Sequence, residues 1–243
     1  MKNNILDDSF LIVIPARGGS KGIPNKNISL INGIPLIEFS IHFAQKLTSN
    51  KNILVSTDSP KIAEISKAAG ATCPFLRPKN LATDFIGDMP VLKHAVNEYQ
   101  NLNHKKYKSI LMLQPTSPIR YEHQVTEAIT KFLEYSYDSL ISVSPVLNKF
   151  HALKQFELKD EKLIVFSSRA SKITARQQLA PSYIRNGVLY LFSEKFITQS
   201  QQVFSNNTGY TVIQDKFINI DTFEDLEEFK IYHSNLSPNN DTL

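Results

Sequence analysis

The chain has no tryptophan and a single cysteine, Cys73, among its 243 residues. One thiol builds neither a disulfide framework nor a thiol-rich metal centre, so a reducing, cytoplasmic setting is expected. No apolar stretch approaches the ~20 residues of a membrane-spanning helix, and no membrane partner is expected. Long runs of lysine and arginine are missing too. The formal net charge is only +4, with the acids spread evenly, so nucleic acid is not an expected partner. The opening Met1-Lys2-Asn3-Asn4-Ile5-Leu6-Asp7-Asp8 carries acids where a signal peptide would be apolar, and none is expected. There is no internal repeat and no low-complexity block. What is present, 42% apolar and 21% charged residues, is the composition of an ordinary globular chain long enough to bury a substantial core.

The first 145 residues alternate two periodicities. Apolar runs at 10–15, 53–55, 110–113 and 139–143 read as buried strands. Between them, 35–47, 59–69, 88–102 and 121–135 carry helical stripes, and Ser59-Pro60 and Gly70 supply a start and a stop for the second. This rhythm predicts an α/β fold with a mostly parallel, twisted sheet, whose ligands bind beyond the carboxyl ends of the strands. After residue 145 the rhythm breaks. Residues 145–183 are polar and mixed, with one strand-like run at 163–167, and read as an excursion from the sheet, a lid or an oligomerisation arm. Strands are expected again at 187–192, around 210–213 and at 217–220. A final helix at 222–233 opens with Thr222 and Asp225 in a near capping box, and the tail from Ser234 to Leu243 is expected to fray.

The most informative stretch is Leu11-Ile12-Val13-Ile14-Pro15-Ala16-Arg17-Gly18-Gly19-Ser20-Lys21-Gly22-Ile23-Pro24-Asn25-Lys26-Asn27. A strand empties into a glycine-rich loop carrying three cations, which suits a polyphosphate cradled by backbone N–H groups. The two common phosphate loops do not fit. A Walker A loop needs Gly-Lys-Ser/Thr, whereas here Lys21 precedes Gly22, and the Gly-x-Gly-x-x-Gly dinucleotide spacing is missing.

The wording of this loop resembles the signature of the acylneuraminate cytidylyltransferases, the CMP-sialic acid synthetases and their bacterial CMP-legionaminic and CMP-pseudaminic acid synthetase relatives. The resemblance continues in order through Val55-Ser56-Thr57-Asp58, Arg77-Pro78-x-x-Leu81-Ala82-x-Asp84 and Leu113-Gln114-Pro115-Thr116-Ser117-Pro118-Ile119-Arg120. It extends through His151-x-x-Lys154, Arg176-Gln177-Gln178-Leu179, Asn186-Gly187-x-x-Tyr190 and Ile220-Asp221-Thr222-x-x-Asp225. It spans roughly residues 10–230 and implies a three-layer, Rossmann-like α/β/α fold of the nucleotide-diphospho-sugar transferase type, a single domain with residues 145–183 as its dimerisation arm.

The implied reaction transfers CMP from CTP to the anomeric hydroxyl of a nine-carbon 2-keto sugar acid and releases pyrophosphate, with Mg²⁺ as cofactor and a homodimer as the assembly. Alternatives are a CMP-Kdo or other sugar nucleotidyltransferase, or a catalytically weakened nucleotide-binding homologue. The resemblance implies Arg17, Lys21 and Asp221 as catalytic groups. It implies Ala16, Arg17, Gly18, Ser20, Lys21, Lys26, Asn27, Arg77, Ala82 and Thr83 around the nucleotide, and Gln114, Thr116, Ser117, Lys154, Arg176, Asn186 and Tyr190 around the sugar. The strand-to-helix turn after residue 113 also admits a plainer reading, with Ser117 as helix N-cap and Pro118 at the first helical position. Arg120, Lys154, Arg176 and Arg185 are candidates for the sugar carboxylate or for contacts between subunits. Many relatives place Asp-x-Asp where this chain has Asn219-Ile220-Asp221, so one carboxylate of the implied metal site is replaced by an amide.

Overall fold

Strand β1 (Phe10–Pro15) is apolar at almost every position because both of its faces are covered. Phe10, Ile12 and Ile14 point to one side and Leu11 and Val13 to the other, as the two-residue period of a strand requires. A computed structural model describes the protein over residues 5–172 and 174–236. In it, β1 lies between β4 (Ile53–Ser56) and β5 (Ser109–Met112), parallel to both. The sheet has six strands in the order β10, β6, β9, β5, β1, β4, with β6 at Ser139–Pro145, β9 at Tyr183–Ser193 and β10 at Thr208–Val212. Only β9 runs against its neighbours, inserted between β5 and β6.

Helices cover both faces. On one side α1 (Leu36–Leu47), α2 (Pro60–Ala68) and α4 (Glu122–Glu134) pack Ile37, Ile41, Ile62, Val125 and Phe132 against the sheet. On the other, α3 (Asp88–Asn103) and α5 (Glu194–Gln199) supply Met89, Leu92, Val96, Phe196 and Ile197. A third cluster joins α6 (Phe223–Ser234) through Leu226 and Phe229 to Ile31, Leu36 and Phe39. The architecture is therefore the three-layer α/β/α arrangement. No helix among the described residues is long and apolar enough to cross a membrane.

The local signals account for most boundaries. The Ser59 hydroxyl accepts from the Ile62 N–H, Pro60 occupies the first turn of α2, and Gly70 takes a φ of +93° just past its end. At α6 the Thr222 hydroxyl accepts from Asp225 N–H while the Asp225 carboxylate accepts from Thr222 N–H, a complete capping box.

Three departures have physical reasons. Residues 217–220 form no strand; Ile220 N–H bonds instead to the Thr116 carbonyl over 2.8 Å, so this segment closes a loop rather than a ladder. Ser117 does not cap α4, which starts only at Glu122, because residues 117–120 run buried beneath the site. The short hairpin of β2 (Leu30–Ile31) and β3 (Ile34–Pro35) turns at Asn32-Gly33, both at positive φ, and that dipeptide was its sequence signal.

Residues 146–182 lie outside the sheet, between β6 and β9, while Pro145 and Tyr183 pair within it. They carry a hairpin of β7 (Phe156–Lys159) and β8 (Lys162–Val165), whose turn at Asp160-Glu161 lacks the usual Asn-Gly or Asp-Gly signature. Of the expected frayed tail, Ser234 still belongs to α6 and residues 237–243 lie outside the described residues.

Candidate functional site

The carboxyl ends of β1 and β5 open into a cleft of about 260 Å³. The glycine-rich loop forms one wall. Its path is set by backbone pairing of Ala16 N–H with the Ser56 carbonyl at 2.9 Å and by Gly18 N–H donating to the Asp58 carboxylate at 2.9 Å. Gly18 is needed there because a Cβ would stand 2.9 Å from Cβ of Ser59. Asn27 is buried, and its side-chain amide donates to the Arg17 carbonyl over 3.0 Å, so it supports the loop from beneath while also lining the cleft.

The three loop cations are all paired. Arg17 Nη1 and Lys21 Nζ each lie 2.8 Å from the Asp84 carboxylate, one on each oxygen. Those two donors, Lys21 foremost, hold the Asp84 carboxyl below its ordinary range. Lys26 turns the other way. Its Nζ donates to the Ile220 carbonyl at 2.6 Å and to Asp221 Oδ1 at 3.0 Å, bringing together residues 195 positions apart.

Around Asp221 the amide of Asn219 donates to Oδ2 at 3.0 Å, and the Ser117 hydroxyl lies 3.2 Å from Asn219 Oδ1 and 3.1 Å from the Asn186 carbonyl. Gly22 fits only without a side chain, since a Cβ would meet the Asp221 carbonyl at 2.6 Å. Gly22→Ala is expected to part the two segments and cost about 1–3 kcal/mol in urea unfolding; an unchanged midpoint would contradict this packing.

The opposite wall is Arg77, Leu81, Thr83, Ile86 and Asp88, with Gln114 and Thr116 at the end of β5. Arg77 is 5% exposed, and burial draws its pKa below the ordinary value. Its Nε and Nη2 have no hydrogen-bond partner, and the nearest carboxylate oxygen, on Asp58, is 3.8 Å away. Asp88 begins α3; burial pushes its carboxyl upward, against the pull of the Arg185 and Arg77 charges.

The structure thus brings Arg17, Ser20, Lys26, Asn27, Arg77, Thr83, Gln114 and Thr116 to one cleft. Lys21 joins it through Asp84, while Asn219 and Asp221 join it through Lys26. Ala16 and Gly18 contribute backbone, and Ala82 ends the short turn that precedes Thr83.

Other expected residues stand elsewhere. Asn186 is buried and satisfied inside the sheet, accepting from Ser142 and donating to Ser144. Tyr190 packs in the core between Met112 and Ile141. Lys154 sits exposed in the excursion, and the Arg176 side chain lies outside the described residues.

Arg120 is a correction: it is 1% exposed and free to meet neither a sugar nor a second subunit. Its guanidinium donates to the carbonyls of Val188 and Gln114 and to the Ser40 hydroxyl, tying α1, β9 and the loop after β5 together. Arg185 stands over the Phe204 ring at 5.5 Å. Sequence reasoning did not single out Asp58 or Asp88 as site residues, and an acid at a helix start is ordinarily a dipole partner. Asp84 had a signal, its place in the Arg77–Asp84 motif.

Comparison with known proteins follows the same lines. The chain is 32% identical over 233 residues to the CMP-N,N'-diacetyllegionaminic acid synthase of Campylobacter jejuni, covering 94% of this chain and 97% of that protein. It is 32% identical over 231 residues to the post-translational flagellin modification protein B of Campylobacter coli, covering 93% and 97%. Among solved structures, the fold is similar to CMP:2-keto-3-deoxy-manno-octonic acid synthetase complexed with CTP. That match has a TM-score of 0.67 and 14% identity, covering 93% of this chain and 98% of that one. Residues 11–237 match the sequence profile of the cytidylyltransferases, and the chain belongs to that family.

Proposed function

We propose that the protein transfers CMP from CTP to the anomeric C2 hydroxyl of a nine-carbon 2-keto sugar acid of the sialic, legionaminic or pseudaminic type. The sugar oxygen forms a bond to the α-phosphorus, the bond from that phosphorus to the bridging oxygen breaks, and pyrophosphate leaves in line. The hydroxyl proton passes to Asp221, directly or through water. The observation that carries the reading is the meeting of the cationic loop with Asp221 through Lys26. A displacement of this kind asks for positioning and charge neutralisation. Arg17, Lys21 and Lys26 supply positive charge, and the phosphates exchange for the Asp84 carboxylate that pairs with the first two. Gln114 and Thr116 face the sugar from the end of β5. Similarity to the Campylobacter and Legionella CMP-N,N'-diacetyllegionaminic acid synthases supports the substrate class.

Mg²⁺ is implied as cofactor. No group of three or more His, Cys, Asp or Glu side chains among the described residues could hold a metal alone. Asp221 offers a hard carboxylate to an ion arriving on CTP, and Mg²⁺ is commonly held by one or two carboxylates plus substrate phosphates. Asn219 turns its amide N–H to Asp221 and its oxygen to the Ser117 hydroxyl, so it would serve the ion only with the amide reversed. When bound, the ion would neutralise charge building on the departing pyrophosphate. Asn219→Asp is expected to lower the Mg²⁺ concentration for half-maximal activity by about tenfold through the added ligand charge. A Mg²⁺ titration of pyrophosphate release reads this, and an unchanged midpoint would remove Asn219 from the ion's surroundings.

The excursion suits a second copy of the chain. Its hairpin exposes Phe156, Leu158, Leu163 and Ile164, and the flanking segments expose Leu147 and Phe150. A homodimer covering these side chains is the proposed assembly, and light scattering of the intact protein tests it: a monomeric mass at full activity would overturn it. The reaction itself is tested by pyrophosphate release from CTP and Mg²⁺ with a panel of sialic, legionaminic and pseudaminic acids. Release with at least one of them is expected. CTP binding without release on any of them would overturn the proposal.

A further inference from the structure

Arg17 and Lys21 reach toward one carboxylate, and the two sides of that contact are held very differently. The glycine-rich loop is fixed at its root, by the Asn27 amide on the Arg17 carbonyl and by Asp58 on the Gly18 N–H. Asp84 stands on residues 83–87, between the short turn ending at Leu81 and α3. The backbone bond across this segment, from Ile86 N–H to the Thr83 carbonyl, is a long 3.5 Å. Gly87, at the cap position of α3, has no side chain to close the helix end, and Phe85 is 93% exposed. Yet Asp84 places one oxygen on Arg17 Nη1 and the other on Lys21 Nζ, each at 2.8 Å. Among the described residues no other carboxylate pairs with either cation. Two oxygens presented to two cations in this way mimic two oxygens of a phosphate group.

We propose that Asp84 is an internal stand-in for pyrophosphate, yielding Arg17 and Lys21 to the incoming triphosphate and taking them back as the product departs, so that it speeds product release. This rests on the reaction proposed above. Pyrophosphate gripped by several cations detaches one contact at a time, and each freed cation can recapture it. A tethered carboxylate fills the gap first, because its effective concentration beside the cations is far above that of the released product. The same competition weakens the first binding of CTP, since only molecules with Asp84 withdrawn present free cations. The exchange favours turnover where product release limits kcat, as it does in many enzymes. The anchoring sets which side moves: the cationic loop stays, and residues 83–87 swing away from it.

Calorimetric binding of inorganic pyrophosphate to the intact protein, with Mg²⁺ present, tests this. Asp84→Asn keeps the shape of the side chain and removes its charge. It is expected to bind pyrophosphate at least about fivefold more tightly than wild type. A stopped-flow chase should show dissociation slowed by a similar factor, and pyrophosphate should become a stronger product inhibitor. Removing any negative charge near an anion site strengthens binding somewhat, so the substitution is repeated on Arg17→Ala. Exchange at Arg17 predicts that most of the gain disappears in that background, whereas a general field effect persists. Melting curves establish that the variants are folded. Pyrophosphate affinity unchanged or lowered in folded Asp84→Asn, an equal gain in both backgrounds, or no binding to any of the proteins would overturn the proposal. These measurements need no sugar acid. Failure of the proposed reaction, CTP binding with no pyrophosphate released on any sugar acid, is therefore seen separately.

Discussion

Arg17→Ala is expected to lower kcat/KM for pyrophosphate release from CTP by about 10²–10³-fold, the usual loss when one positioned donor to a developing negative charge is removed. The residue leaves β1 on a loop whose carbonyl is held by Asn27, so its guanidinium works from a fixed root. The folded protein should hardly notice the change. The ion pair with Asp84 is about one-third exposed on each side, and solvent-screened pairs of this kind contribute little to stability. Arg17→Lys should recover only part of the activity, because a point charge cannot span two phosphate oxygens as the planar fork does. Steady-state kinetics at saturating sugar acid, with a melting curve beside them, read both expectations. A loss below about fivefold would place the triphosphate elsewhere than the proposed site.

Arg120→Leu acts on stability rather than on chemistry, and the expected cost is about 3 kcal/mol or more in urea unfolding. The guanidinium is buried, and burial draws its pKa down to about 9, so it is still charged at neutral pH. No carboxylate pairs with it among the described residues; three oxygens on Val188, Ser40 and Gln114 meet its donors instead. Leucine would match the apolar stem but strand two carbonyls and a hydroxyl without a donor. Arg120→Lys should rescue little, since one ammonium cannot reach three acceptors on α1, β9 and the loop after β5. Because the Gln114 carbonyl is one of them, the folded fraction of either variant should also show a raised KM for the sugar acid. A loss under about 1 kcal/mol would mean that the loop closes over the gap without strain.

The two arginines differ in how far they could be read from the sequence. Arg17 follows an apolar strand and precedes two glycines, a local pattern with a local meaning. Arg120 closes a motif of polar and proline residues and looks like a surface cation; what buries it is Ser40, eighty residues earlier, and Val188, sixty-eight later. The same contrast separates α2 and α6, whose caps are written in adjacent residues, from β9. That strand's apolar run announced a strand but neither its direction nor its neighbours, which depend on where the excursion turns back. Asn186 illustrates it within one motif. Its type suits a sugar hydroxyl, yet Ser142 and Ser144 on the adjacent strand take both ends of its amide.

By itself the sequence determined the alternation of buried strands and helices, the capped helices and the cationic glycine loop, because each is a periodicity or a cap formed by residues within a few positions of one another. Only the tertiary structure decided which charges meet: Arg17 and Lys21 with Asp84, Lys26 with Asp221, and Arg77 with Asp58. The physical reason is that pairing of charges depends on distance in space, which for Lys26 and Asp221 is 3.0 Å across 195 residues of chain. No local pattern of residues encodes that approach.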